Sequence, residues 1–272
     1  MTNYTSNQSQ APFDFGRLAP SRGFRLVVVG SHGGIGRALC QAALSIEVEV
    51  IALDTASAID KAGPMEGLHS IAVDVTDNDS IDAAFSAIQE RWGSIDGLAF
   101  VSGIGARPTP ATEHTVEQWD RTMDVNLRGA FLTMTRARPL LLEHSSVVIV
   151  SSGLAQQADP GFLAYSASKA GLVALAKTLA KEWAPIRVNT LSPGLVNTPF
   201  LAGGSGQATE RVGSSLEDWF GVERARAIIE TIPLRRIAEP EDIVAPMLFL
   251  LGPASRFVTG HTFHVNGGRL MA

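Results

Sequence analysis

The stretch Arg25-Leu26-Val27-Val28-Val29-Gly30-Ser31-His32-Gly33-Gly34-Ile35-Gly36 decides the fold of this chain. Its apolar run is what a strand buried on both faces of a parallel sheet requires. Glycines then end the strand, and a helix is predicted from about Ile35 to Ser45. Strand, glycine turn and helix in direct succession place backbone N–H groups at the positive end of a helix, where a pyrophosphate can sit. The spacing is Gly30-x-x-x-Gly34-x-Gly36, which departs from the Gly-x-Gly-x-x-Gly dinucleotide pattern. A glycine-rich turn alone can be no more than a tight turn.

Outward from this stretch, short apolar runs alternate with helical patterns. Strands are predicted at Val48–Leu53, Ser70–Val75, Leu98–Val101, Val147–Val150, Val188–Leu191 and Thr262–Val265. Asp77 is a cap for a helix through Arg91, whose Ile81, Ala84, Phe85 and Ile88 follow helical spacing. A long helix is predicted from Val116 to Leu142 with a break near Asp124, and another carries Tyr165 and Lys169 to about Trp183. A helical segment around Leu216–Thr231 and a helix from Pro240 to Leu251, with proline in its first turn, follow. This alternation, without a composition break, predicts an α/β fold with one doubly wound parallel sheet.

The 272 residues include 45% hydrophobic and 18% charged residues with a net charge of −5, ordinary for a globular enzyme or binding protein. No basic stripe points to nucleic acid or an anionic membrane. The single cysteine, Cys40, cannot form an internal disulfide and reads as a small buried apolar residue in a reducing compartment. Residues 1–23 lack a hydrophobic signal core and read as a flexible or loosely docked extension. Val244–Leu251 is too short for a membrane span. These features predict a cytoplasmic protein. No His/Cys/carboxylate set has metal-ligand spacing, and His261 and His264 on the last strand read as structural.

Two groups of residues carry chemistry. Asp54 ends the second strand, where a carboxylate can bind adenosine ribose hydroxyls and repel a 2′-phosphate. With His32 rather than a basic residue in the glycine turn, this favours NAD over NADP, although a lone strand-end aspartate is commonly a turn residue. Tyr165 and Lys169 sit at i and i+4 on one helix face. A nearby ammonium is expected to pull the phenol below its ordinary pKa of about 10, towards the range of a general acid or base. Ser152, just after an apolar strand, is placed to donate to a carbonyl oxygen that Tyr165 protonates. The chain has only 2 tyrosines, but such a pair by itself is commonly a surface pair.

Taken together, these residues resemble the short-chain dehydrogenase/reductase family from about residue 24 to 268. The matching pieces are Gly30/Gly34/Gly36, Asp54, Asp74 in Val73-Asp74-Val75, Asn126 in Asp124-Val125-Asn126-Leu127, Ser152, Tyr165-x-x-x-Lys169 and Pro193-Gly194. Pro233-Leu234-Arg235-Arg236, Pro240-Glu241-Asp242, Thr259-Gly260 and Asn266-Gly267-Gly268 resemble that family's C-terminal signature. The resemblance implies a single Rossmann-like domain over residues 24–272, with helices on both faces of the sheet. It implies that Tyr165 exchanges the proton at the substrate oxygen, Lys169 tunes it and holds the nicotinamide ribose, Ser152 polarises the substrate, and Asn126 supports a relay behind Lys169. Gly30, Ser31, Gly34, Ile35, Gly36, Asp54, Asp74 and Val75 would then line the adenosine and pyrophosphate half of NAD, and Pro193, Gly194, Val196 and Thr198 the nicotinamide end. One departure stands out: Phe100-Val101-Ser102-Gly103 replaces the family's Asn-Asn-Ala-Gly, so packing must do there what asparagine hydrogen bonds would.

The resemblance also places a substrate lid over about residues 198–222, with Gly203-Gly204-Ser205-Gly206 able to hinge. Leu154, Phe162, Leu195 and Phe200, with Trp219 and Phe220 either in the pocket or packing the lid, predict an apolar or aromatic alcohol or ketone as substrate. Arg107 could meet a substrate carboxylate or be merely solvated. Apolar residues on several faces of Val116–Leu142 and Tyr165–Trp183 call for burial against another subunit. A homotetramer is expected, with a homodimer as the smaller form. The reaction predicted is NAD(H)-dependent interconversion of a secondary alcohol and a ketone. Alternatives are an NADP-linked 3-oxoacyl reductase and a catalytically idle dinucleotide-binding protein.

Overall fold

Seven parallel strands form one sheet in the order β3-β2-β1-β4-β5-β6-β7, as seen in a computed structural model that describes residues 14–105, 108–201 and 216–271. In chain order they are β1 (Arg25–Val29), β2 (Glu49–Asp54), β3 (His69–Ala72), β4 (Ile95–Phe100), β5 (Leu141–Val150), β6 (Arg187–Pro193) and β7 (Thr262–Val265). Helices α1 (Gly34–Ser45), α2 (Ala56–Ala62) and α3 (Asn78–Trp92) connect the first strands. Between β4 and β5 runs α4 (Val116–Met123), a π-helical turn at Asp124–Arg128, and α5 (Gly129–Ala137). Short α6 (Leu154–Gln157) and long α7 (Leu163–Glu182) precede β6, and α8 (Leu216–Phe220), α9 (Val222–Glu230) and α10 (Pro240–Leu251) precede β7.

The strand period of two divides the core into two layers. Val27, Val29, Leu98 and Phe100 face the layer built with α3, α5 and α7. Leu26, Val28 and Ala99 face the opposite layer, where α1 and α10 supply Leu39, Cys40, Met247 and Leu250. Helices therefore cover both faces, as a doubly wound sheet requires. Cys40 is fully buried, and burial pushes its thiol up to about 12, so it behaves as an apolar filler.

Strand reversal between β1 and β4 opens a crevice at the carboxyl ends of the strands, the place where open α/β sheets bind ligands. Each strand's exit is fixed by the backbone: Gly30 and Ser31 donate to the Leu53 carbonyl, and Val101 and Ser102 to that of Val29. The Phe100-Val101 departure from the family pattern is met by packing, with Phe100 fully buried beneath this edge.

Several boundaries differ from the sequence expectation. The long helix ends at Ala137, because Pro139 in the 3-10 turn Arg138–Leu140 cannot continue it, and Leu141–Leu142 already belong to β5. The break expected near Asp124 is the π-helical turn. β3 stops at Ala72, since Asp74 turns the chain by accepting from the Thr76 N–H and hydroxyl at 2.9 and 2.7 Å. The segment Leu216–Thr231 is two helices separated at Gly221, whose φ of 76° no helix interior admits. α2 and α6 had no sequence signal strong enough to name. Residues 14–23 are docked: Asp14 caps the 3-10 turn Phe15–Leu18, and Ala19 lies against Gly252. Residues 1–13, Arg107, Gly203–Gly206 and the Trp219 side chain lie outside what is described.

Candidate active site

A cleft of about 1200 Å³ runs along the carboxyl edge of the sheet and collects most of the residues singled out above. At one end the Gly30–Gly36 turn presents backbone alone. A Cβ on Gly36 would stand 2.0 Å from the Gly30 carbonyl oxygen, so the turn closes onto the start of α1 only because that side chain is absent. Gly30 adopts φ +85°, and a Cβ there would stand 2.5 Å from the Ser102 nitrogen. Asp54 closes the adjacent wall, Oδ2 accepting from the His32 N–H and Oδ1 from the Thr55 N–H, both at 2.8 Å. Asp74 and Val75 line the same region. Ser31 does not: its side chain is fully buried and its Oγ donates to the Leu53 carbonyl at 3.1 Å, behind the cleft wall. His32 lines the cleft instead, and burial lowers its imidazole pKa below the ordinary value.

Ser152, Tyr165 and Lys169 come together on the same cleft. Ser152 follows β5, its hydroxyl accepting from the Leu154 N–H at 3.2 Å and lying near enough to the Tyr165 phenol to lower its pKa. α7 is tied to β5 by the Ser151 hydroxyl, which donates to the Lys169 carbonyl at 2.8 Å. Lys169 Nζ donates to the Val150 carbonyl at 3.1 Å and lies 5.6 Å from the centre of the Tyr165 ring. Asn126, fully buried in the π-helical turn, grips the chain beyond β4. Its Oδ1 accepts from the Ile104 N–H at 2.7 Å, and its Nδ2 donates to the Ile104 carbonyl and Ser168 Oγ, both at 3.0 Å. Lys169 Nζ and Asn126 Oδ1 both face Gly103. A π-helical turn at such a place re-aims one side chain within a helix.

Electrostatics run against one expectation. Burial pushes the Tyr165 phenol up to about 12, opposed by its hydrogen bond to Ser152, and burial pushes Lys169 down to about 8. Desolvation disfavours the charged form of both groups, and the ammonium is turned to the Val150 carbonyl rather than to the phenol oxygen. Burial therefore favours the protonated phenol of Tyr165.

Pro193, Gly194, Val196 and Thr198 line the cleft beyond Tyr165. Phe200 packs on Tyr165 with ring centres 6.0 Å apart. The far end holds residues that sequence reasoning did not find: Gln157, Asp159, Arg224, Arg269 and Leu270. None sits in a spaced motif. Arg269 directly follows Asn266-Gly267-Gly268, and only the tertiary turn there brings it to the cleft. Among the described residues there is no group of His, Cys, Asp and Glu that could hold a metal ion.

Comparison with known proteins agrees with this geometry. Residues 29–269 match the family model described as enoyl-(acyl carrier protein) reductase. The 3beta-hydroxysteroid dehydrogenase 1 of Eggerthella lenta is 33% identical over 262 residues, covering 91% of this chain and 94% of its own. The chain belongs to the short-chain dehydrogenase/reductase family. A solved family member from Brucella melitensis, a glucose/ribitol dehydrogenase-type short-chain dehydrogenase/reductase, superposes with a TM-score of 0.81 at 31% identity, covering 93% of this chain and 99% of that one. A 3-ketoacyl-(acyl-carrier-protein) reductase from the same organism, complexed with NADH, gives a TM-score of 0.77 at 25% identity, covering 92% and 99%. As a short-chain dehydrogenase/reductase the chain is an oxidoreductase of a nicotinamide dinucleotide. Its cleft fits that group: a side-chain-free glycine wall, carboxylates at one end and an ammonium beside the phenol. Among the described residues no helix is long and apolar enough to cross a membrane.

Proposed function

We propose that this protein is an NAD(H)-dependent oxidoreductase that interconverts a secondary alcohol and a ketone. The observation carrying this reading is that Ser152, Tyr165 and Lys169 share one cleft with the Gly30–Gly36 turn and Asp54. The glycine turn would take the pyrophosphate, Asp54 the adenosine ribose, Asp74 and Val75 the adenine side, and Lys169 the nicotinamide ribose. The dinucleotide supplies hydride chemistry when bound; the protein supplies alignment and a proton path. Ser152 donates to the substrate oxygen and polarises it. Tyr165 delivers its proton to that oxygen in reduction and takes it back in oxidation. Lys169 passes the proton on towards Asn126, which fixes Ile104 and Ser168 around the relay.

Asp54 is the ground for preferring NAD: its two oxygens accept from backbone N–H groups that hold the carboxylate at the end of β2, and its charge would repel a 2′-phosphate. A second reading, an NADP-linked 3-oxoacyl reductase, draws on Lys61, which lines the same end of the cleft and could meet a phosphate. A catalytically idle binding protein would leave this acid–base set without a purpose. Exposed Phe131, Leu163 and Val116, on α5, α7 and α4, favour covering by another copy in a tetramer. We assign residues 24–272 to one domain and the protein to the cytoplasm, with a lid over about 198–222. A panel of apolar and aromatic alcohols and ketones followed at the NADH absorbance tests the reading. Tyr165→Phe should abolish turnover while NADH still binds, and near wild-type turnover would refute the proton-transfer role. Asp54→Ala should narrow the ratio of KM for NADPH to KM for NADH; an unchanged ratio would refute the role of Asp54.

A further inference from the structure

The far end of the cleft is closed by the residues that follow β7. Asn266 holds a turn there, its Nδ2 donating to the Leu270 carbonyl and its Oδ1 accepting from the Gly268 N–H, both at 2.9 Å. That turn sets Arg269 and Leu270 on the cleft wall. Arg269 Nη2 donates to Asp159 Oδ2 at 3.1 Å, across to the loop between α6 and α7. The guanidinium is only partly used: its Nε is buried and has no hydrogen-bond partner among the described residues. With Nε enclosed by protein and Nη2 on Asp159, Nη1 is the nitrogen left open, and Nη1 with Nη2 forms the end-on edge by which a guanidinium grips a carboxylate, Asp159 engaging one half of it.

A second guanidinium lines the same cleft. Arg224, exposed on α9, lies 5.5 Å from the ring of Phe220 and lines the cleft with it. Among the described lining residues at this end, Asp159 is the one carboxylate set against these two cations. The lining of the same cleft also includes the apolar Leu154, Phe162, Leu195, Phe200, Ile228 and Leu270, with Gln157 as a polar neighbour.

We infer that Arg269, seconded by Arg224, recognises a carboxylate, so that the substrate is a ketone or secondary alcohol whose apolar body carries an acidic group away from the reacting carbon. This inference rests on the oxidoreductase reading given above. Asp159 aims the guanidinium and competes for it, so the two residues should act on substrate selection in opposite directions.

Aryl methyl ketones bearing a para carboxylate, carboxymethyl or carboxyethyl group, each compared with its methyl ester, provide the test. With NADH, the best acid should show a KM lower than its ester by about tenfold, the scale of one charge-assisted pair. Arg269→Leu should bring the acid-to-ester ratio to about one, Arg269→Lys should restore part of it, and Asp159→Asn should raise it above wild type. Equal KM values, or a preference for esters in the wild type, would overturn the inference. So would Arg269→Leu and Asp159→Asn shifting the ratio alike, which marks the pair as a structural tie. If neither acids nor esters turn over, calorimetric binding of the same pairs to the protein with NADH decides. Acid-selective binding lost in Arg269→Leu keeps the carboxylate site and places the failure in the redox reading; unselective binding, or none, overturns the site itself.

Discussion

Replacing Lys169 by methionine should make the cofactor-free protein more stable while removing its activity. Lys169 is 3% exposed, and burial takes its ammonium from an ordinary 10.5 down to about 8. At about 1.4 kcal/mol per pH unit, that gap corresponds to about 3 kcal/mol of unfavourable charge burial at neutral pH. Methionine fills a similar volume without charge. It gives up the hydrogen bond to the Val150 carbonyl, a loss of about 1 kcal/mol, so a net gain of about 2 kcal/mol is expected at pH 7. The pH dependence follows from the direction of the shift. Below about 8 both the folded and unfolded wild-type chains hold the proton, and the burden is fully present. Between about 8 and 10.5 the folded lysine is neutral while the unfolded one is still charged, so wild-type stability rises relative to the variant and the gap closes. Tyr165 is present in both proteins, and its contribution largely cancels in the difference. Urea unfolding of wild type and Lys169→Met at pH 7 and pH 9.5, with turnover measured alongside, checks both claims. A variant less stable than wild type at pH 7, or a gain that does not shrink at pH 9.5, would refute the reasoning.

Three further outcomes follow from the same geometry. Asn126→Ala should cost about 3 kcal/mol in denaturant unfolding, because the fully buried amide leaves the Ile104 N–H, the Ile104 carbonyl and Ser168 Oγ without its bonds; a loss within experimental error would show that the turn does not depend on it. Gly36→Ala should weaken NADH binding at least about tenfold in a calorimetric titration, since its Cβ meets the Gly30 carbonyl oxygen at 2.0 Å and overpacking displaces the turn; wild-type affinity would refute that. Phe200→Ala should uncover Tyr165 and lessen the desolvation that raises its phenol. The alkaline limb of its pH–rate profile should therefore move to lower pH, and an unmoved limb would show that other residues enclose the phenol.

The sheet was legible because each strand carries its own signal. Val27 and Val29 turn one way and Leu26 and Val28 the other, and the run is apolar throughout because both faces are covered. Helix ends were less legible where a local breaker competed with a long apolar pattern, as Pro139 does after Ala137. Tyr165 and Lys169 could be paired because helical spacing makes i and i+4 neighbours whatever surrounds them.

What the sequence determined by itself, then, is the doubly wound order of strands and helices, the glycine turn, and the identities of Asp54, Asn126, Ser152, Tyr165 and Lys169. Period, turn chemistry and motif spacing are local properties, written within a few residues of each other. Tertiary structure alone decided the rest. It turned Ser31 behind the wall, set the phenol high and the ammonium low through burial, and carried Arg269 from the end of the chain to Asp159. Desolvation and long-range ion pairing depend on which groups pack together in space, and separation along the chain does not encode that.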